Sequence, residues 1–208
     1  MSGPVAGGGT RLPTADPDAR RRERREQAKA AADRRAARER ALAEQVMAFL
    51  PQGVVTRREQ RGQNTLVVPL AEAKGFLRRC RDEAGFDMLT DLTALDWMAW
   101  EGGEHPQRFA VLWTLTNMAQ EARLLVMAYV DEDAPRIDTV SDLWPAADWA
   151  EREVYDMFGL EFAGHGNLIR LLMPFDYVGH PLRKDYPLRG RGERDNFPVI
   201  KRANEEQL

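Results

Sequence analysis

Apolar positions along the chain change period several times, and each change marks an element. Leu42, Val46, Phe49 and Leu50 put an apolar face on the end of a long Ala/Arg/Glu run that begins at Ala19, so a helix over 19–50 is expected, stopped by Pro51-Gln52-Gly53. Val54–Glu59 and Thr65–Pro69 read as a hairpin across Gly62-Gln63-Asn64. Leu70, Ala73, Phe76, Leu77 and Cys80 then fall on one stripe of a helix over Leu70–Ala84, with Gly85 as its stop. Three strand-like runs follow, at Met88–Trp100, Phe109–Asn117 and Arg123–Val130. In the first, which alternates only in part, Leu89, Asp91, Thr93, Leu95 and Trp97 share a face; in the second, Phe109, Val111, Trp113 and Leu115 do. Asp131-Glu132-Asp133 and Pro135 close the sheet. A last helix over Asp148–Phe158 places Ala147, Ala150, Val154, Met157 and Phe158 on its apolar face, points Glu151, Arg152, Tyr155 and Asp156 elsewhere, and ends at Gly159.

The order α-β-β-α-β-β-β followed by a helix predicts an α+β fold: a two-layer domain whose mixed or antiparallel sheet is packed by helices on one side. Around it the chain divides into a Gly/Pro-rich flexible leader (1–18), a charged helical extension (19–44), the core domain (45–145), a helix with an extended arm (146–188) and a polar tail (189–208). The arm carries His180-Pro-Leu-Arg-Lys-Asp-Tyr-Pro-Leu188, where two prolines fix φ and remove amide donors. Its aromatics and charges alternate too tightly for a core element of its own, so it is expected to find its burial on another surface.

Charge is unevenly spread. Arg20–Glu44 holds ten basic and five acidic side chains, about +5, whereas 45–208 holds 19 against 26, about −7. A solvated helix with i,i+4 pairs is the favoured reading of that lead, and a partner-docking helix stays open. The interleaved acids and missing aromatics argue against nucleic acid, and the acids against a transit peptide. No apolar run is long enough to span a bilayer and no signal sequence is visible. The lone Cys80 permits no intrachain disulfide, fits a reducing compartment, and is too few thiols for an iron–sulfur cluster held by this chain alone. On its apolar stripe it reads as a small core residue.

Candidate chemistry is thin. Glu151, Glu153 and Asp156 could serve acid–base work, but no histidine stands at Glu-x-x-His spacing and ion pairing is the favoured fate. His165 and His180, each after a glycine, could hold a metal with Asp176 or Asp185, yet the spacing fixes no convergence and backbone bonding in tight turns is favoured. His105 is expected in an exposed loop. There is no nucleophile elbow, and neither Gly7-Gly8-Gly9 nor Gly190-Arg191-Gly192 has the strand and helix of a nucleotide cradle.

The motifs Glu151-Arg-Glu-Val-Tyr-Asp-Met-Phe-Gly-Leu-Glu-Phe-Ala-Gly-His165 and Leu171-Leu-Met-Pro-Phe-Asp-Tyr-Val-Gly-His-Pro-Leu-Arg-Lys-Asp-Tyr-Pro-Leu188 resemble the signature of a known family. It is the 30-kilodalton-type subunit, also called the C subunit, of respiratory complex I, the proton-translocating NADH:quinone oxidoreductase. The resemblance is dense over about residues 139–188 and extends over 45–188, leaving out 1–44. The chain departs from the family pattern at Gly166, where a proline is usual, and at Ile169, where an arginine is.

The resemblance implies the same two-layer α+β fold and a non-catalytic structural subunit of the complex's hydrophilic peripheral arm, on the cytoplasmic side of the inner membrane. Its partners would be the other subunits, above all the large quinone-site subunit and the one holding the terminal cluster, with one copy per complex. FMN, iron–sulfur clusters, NADH and quinone would sit on other chains, leaving no cofactor, metal or catalytic residue here. The interface expected on Glu151, Arg152, Glu153, Tyr155, Asp156, Phe158 and His165 continues through Arg170, Asp176, His180, Arg183, Lys184, Asp185 and Tyr186. Phe162, Phe175 and Tyr177 add aromatic area. An equivalent subunit of a related membrane-bound hydrogenase or other quinone reductase, and an independent soluble enzyme, are the alternatives.

Overall fold

The computed structural model describes residues 17–60, 63–102 and 105–191. The leader, apart from its last two residues, and the tail after Arg191 lie outside the described residues. Helix α1 (Pro17–Met47) runs into a hairpin of β1 (Thr56–Gln60) and β2 (Gln63–Val67). Helix α2 (Leu70–Asp82) leads to β3 (Met88–Asp96), β4 (Phe109–Asn117) and β5 (Ala122–Val130). A short β6 (Arg136–Asp138), helix α3 (Ala147–Phe158) and β7 (Glu161–Ala163) complete the order.

The five long strands form one sheet in the order β1-β2-β5-β4-β3. It is mixed, as expected: β2 runs parallel to β5, and every other neighbour is antiparallel. Parallel pairing follows from the connection, because α2 must carry the chain from β2 across the sheet before the β3-β4-β5 meander returns. All three helices pack on one face. They cover Leu66, Val111, Trp113, Leu115, Leu124 and Val126 with Leu42, Val46, Phe76, Leu77 and Val154, all buried. Cys80 is fully buried on the apolar stripe of α2, and burial pushes its thiol well above the ordinary range.

Several boundaries differ from the sequence reading, each for a physical reason. A bulge between Leu89 and Asp91 shifts the pairing by one residue, so these two do not share the face expected of them. Leu89, Leu92 and Ala94 face the core, whereas Asp91 is exposed. The strand ends at Asp96 because that carboxylate accepts the Met98 amide at 3.0 Å and both forks of Arg108, turning the chain through Trp97–Trp100. The first helix stops at Met47, before the proline. Strand β2 already begins at Gln63, inside the expected loop. His105 is half-buried, its ring stacked on Trp97 at 3.8 Å, and is not the exposed loop residue expected.

The larger correction concerns the stretch from Glu151 onward, expected to build no core of its own. Helix α3 packs on β3, and β7 pairs in parallel with β6 to form a two-stranded sheet. Phe158, Leu160 and Phe162 enter the hydrophobic core. Parallel β6 and β7 were invisible to period counting because each is three residues long.

Candidate functional site: a polar-stapled arm with an apolar outer ridge

Helix α3 carries two carboxylates that are fully buried, Glu151 and Asp156. Glu151 reaches back to the turn after β6, accepting the Thr139 hydroxyl at 2.5 Å and the Val140 amide at 2.7 Å. Asp156 reaches forward to the arm. One oxygen accepts three successive amides, Leu171 at 3.0 Å, Leu172 at 2.7 Å and Met173 at 2.8 Å; the other accepts Arg170 at 2.6 Å. One helix therefore clamps a loop on each side. Burial opposes ionisation of Asp156, but the three amides and Arg170 outweigh it and hold its carboxyl below the usual range.

The next segment of arm folds onto the same helix end. His180 Nδ1 donates to the Asp156 carbonyl at 3.0 Å, which fixes its tautomer. Burial lowers the imidazole's basicity. Arg183 donates to the Phe158 carbonyl at 2.5 Å and lies over the Phe109 ring, satisfying a C-terminal carbonyl of α3. The Lys184 amide donates to Asp96 at 2.9 Å, and Asp185 pairs with Arg108 at 2.9 Å. Arg108 also pairs with Glu132, so one largely buried guanidinium ties the arm to two turns of the sheet. The Tyr177 and Tyr186 hydroxyls are hydrogen-bonded to each other.

Gly159 makes this close approach possible. It caps α3 at φ 73°, and a Cβ there would stand 2.5 Å from His180 Nε2 and 2.7 Å from an Arg183 nitrogen. Gly159→Ala is expected to cost at least the ~1–2 kcal/mol of a left-handed non-glycine residue and to dislodge His180 and Arg183. Faster amide exchange over 180–186 than over β4 would show it.

The structure divides the interface candidates. Glu151, Asp156 and Phe158 are buried within the chain and offer a partner no surface. Arg152 donates to the Ile169 and Arg170 carbonyls, and Tyr155 sits edge-on to His180. His165 Nε2 lies 3.2 Å from the Asp148 carbonyl, and its Nδ1 accepts the Asn167 amide, so it belongs to the start of α3 while His180 belongs to its end. The two do not converge on one site. Glu153, Asp176, Lys184 and Asp185 are exposed. The arm turns large apolar side chains outward: Phe175 is 94% exposed and Leu188 103%, and Ile169, Leu172, Val178 and Leu182 are exposed as well. Phe162 is core, whereas Phe175 is surface. Sequence reasoning missed Asp96 and Arg108. The available signal was a carboxylate at the end of an apolar strand, facing an arginine that opens the next. With its buried carboxylates closed off by donors, the arrangement can hold and present a surface.

Comparison with known proteins agrees with the motifs. The model of the respiratory-chain NADH dehydrogenase 30 kDa subunit family matches residues 66–192. The C subunit of the NADH-quinone oxidoreductase of Citrifermentans bemidjiense is 45% identical over 132 residues, 64% of this chain and 79% of that one. Among solved structures, a trypsin-resistant fragment of Nqo5 is 32% identical with a TM-score of 0.57, covering 61% of this chain and 99% of that one. A chain from an archaeal membrane-bound sulfane sulfur reductase is 24% identical with a TM-score of 0.56, covering 78% and 96%, and shares the fold. This chain belongs to the 30 kDa subunit family of the respiratory-chain NADH dehydrogenase, complex I. No helix among the described residues is long and apolar enough to cross a membrane.

Proposed function

We propose that the chain is a structural, non-catalytic subunit of the peripheral arm of a proton-translocating NADH-quinone oxidoreductase, present in one copy per complex. It would sit on the cytoplasmic side of the membrane, held there through the complex, against the large quinone-site subunit and the subunit with the terminal cluster. NADH, FMN, the clusters and quinone would be bound by other chains. The observation that supports this is the ridge formed by Ile169, Leu172, Phe175, Val178, Leu182 and Leu188. These side chains are exposed, yet Arg152 holds the Ile169 carbonyl, Asp156 the Leu172 amide and the Met157 carbonyl the Leu182 amide. A preorganised apolar ridge loses little entropy on docking, and aromatic anchors dominate such contacts. Rigid seating suits electron transfer, which requires fixed spacing between cofactors on the neighbouring chains.

The test uses residues that support nothing inside the chain. Leu172→Asp combined with Phe175→Asp is expected to leave the unfolding midpoint unchanged while reducing recovery of the chain with the membrane complex by tenfold or more. Arg22→Ala, on the exposed lead of α1, serves as the neutral control. Normal recovery of the double variant would refute the ridge as the docking surface. The fold shared with the sulfane sulfur reductase chain keeps one rival, an equivalent subunit of a different respiratory assembly. Identifying the electron-input module that co-purifies with the chain separates the two.

A further inference from the structure

The face of the five-stranded sheet opposite the helices is uncovered among the described residues, and its polarity changes along the strands. Paired residues share a face, so the register shows where the change falls. Asp91 pairs with Thr114, and Thr116 with Arg123, which makes one end of this face polar. Farther along it, Leu95, Leu112, Leu125 and Met127 line an apolar cleft of about 450 Å³ together with Trp97 and Trp100. The aromatic side is braced. Trp100 meets Trp97 edge to face at 5.8 Å, and Trp97 lies flat on His105 at 3.8 Å. His105 Nδ1 and Arg58 both reach the Tyr129 hydroxyl, at 3.2 and 3.0 Å. Gly102 passes close under Trp100, where a Cβ would stand 2.5 Å from the indole nitrogen. Arg58, at the border of the cleft, supplies its charge. Its neighbour Arg57 pairs with Glu44 and Glu59, whereas Arg58 has no carboxylate partner among the described residues, and no carboxylate lines the cleft.

We propose that the cleft binds a small amphipathic acid, one carboxylate on an apolar aromatic body, with Arg58 taking the carboxylate and Trp97 and Trp100 the ring. The extent of the apolar area favours a small molecule over a protein surface. It ends at the row of Asp91 and Thr114, whereas a stable protein partner covers about 800 Å². The volume lies within the roughly 300–1,000 Å³ of small-molecule sites, which are mostly apolar and aromatic with few polar groups. Indole rings stack on flat ligands, and a guanidinium free of an acid partner matches a single carboxylate and repels a cation. Because Trp97, His105 and Tyr129 already hold one another, little has to be ordered on binding.

The experiment irradiates the full-length chain, alone and in native membranes, with the photoreactive aromatic acid 4-benzoylbenzoate and maps the adducts. Adducts to the segments 95–100 or 125–127, or to Leu112, are expected in both settings, and excess 2-naphthoate should displace them. Arg58→Glu should lower their yield at least tenfold. The cationic probe (4-benzoylbenzyl)trimethylammonium should instead label that variant at least tenfold better than the parent, which also shows the variant to be folded. Equal labelling by the two probes, a yield indifferent to Arg58→Glu, or adducts confined to other segments would overturn the proposal. So would labelling of the isolated chain that disappears in the membrane complex, because another chain would then fill the cleft. The ridge of the arm is tested separately by Leu172 and Phe175, so either reading can fail alone.

Discussion

Replacing Asp156 with alanine is expected to release the whole arm while leaving the sheet folded. The carboxylate is fully buried and holds four donors: three consecutive amides and the guanidinium of Arg170. No neighbouring acceptor replaces it, so its loss strands those donors or forces the loop into water, at a cost of about 3–5 kcal/mol. Against the ~5–15 kcal/mol of a typical domain that is large. Peptides covering 169–188 should exchange their amide hydrogens at nearly unfolded rates, with β4 and β5 still protected. An unchanged exchange pattern there would show that Asp156 is not the clamp. The pH dependence has a definite sign. The folded carboxyl is held below its usual range, so its contribution is complete above the ordinary aspartate pKa of about 3.9 and is lost only as pH falls through the lower folded value. The arm should therefore stay docked in mildly acidic buffer. Asp156→Asn, which cannot ionise, should lack that acid-induced release.

The clamp explains why the fold was legible in the sequence and half of the site was not. Elements that bury an apolar stripe announce themselves by period. Phe109–Asn117 matches its strand end to end, and the stripe of α2 is the predicted one. The bulge at Thr90 is a single inserted residue, so it reversed the facing of Leu89 relative to Asp91 without disturbing the composition. Polar staples leave no periodic trace at all. Glu151 and Asp156 look in sequence like solvent-facing acids of an amphipathic helix, and only the loops folded against α3 reveal the donors that bury them. Phe175 and Leu188 of the arm are exposed apolar side chains. The charged residues divide: Arg170, Arg183 and Asp185 bond within the chain, as does the backbone amide of Lys184. Motif resemblance identified the family because it depends on residue order, which the physics of any one element does not reproduce.

Glu151 gives the opposite pH response, and its two substitutions should separate burial from hydrogen bonding. Burial raises its pKa; the Thr139 hydroxyl, the Val140 amide and the His165 ring, 3.9 Å away, only partly offset that. Lys74 adds a weaker pull in the same direction as His165. A raised carboxyl binds its proton more tightly folded than unfolded, so stability falls as pH rises from the ordinary glutamate value of about 4.3 through the folded pKa, and is level above it. Glu151→Gln removes that slope. Its amide oxygen can keep the Val140 bond and its NH₂ can donate to the Thr139 oxygen, so at neutral pH the variant should match or exceed the parent. Glu151→Ala keeps neither bond and opens a cavity between α3 and β6, at a cost of about 2–4 kcal/mol. Urea midpoints of the three proteins between pH 5 and 8 make the comparison. If Gln proved as damaging as Ala, the ionised form would be what the fold requires, and the short bond to Thr139 would have to be a charged one sustained against burial.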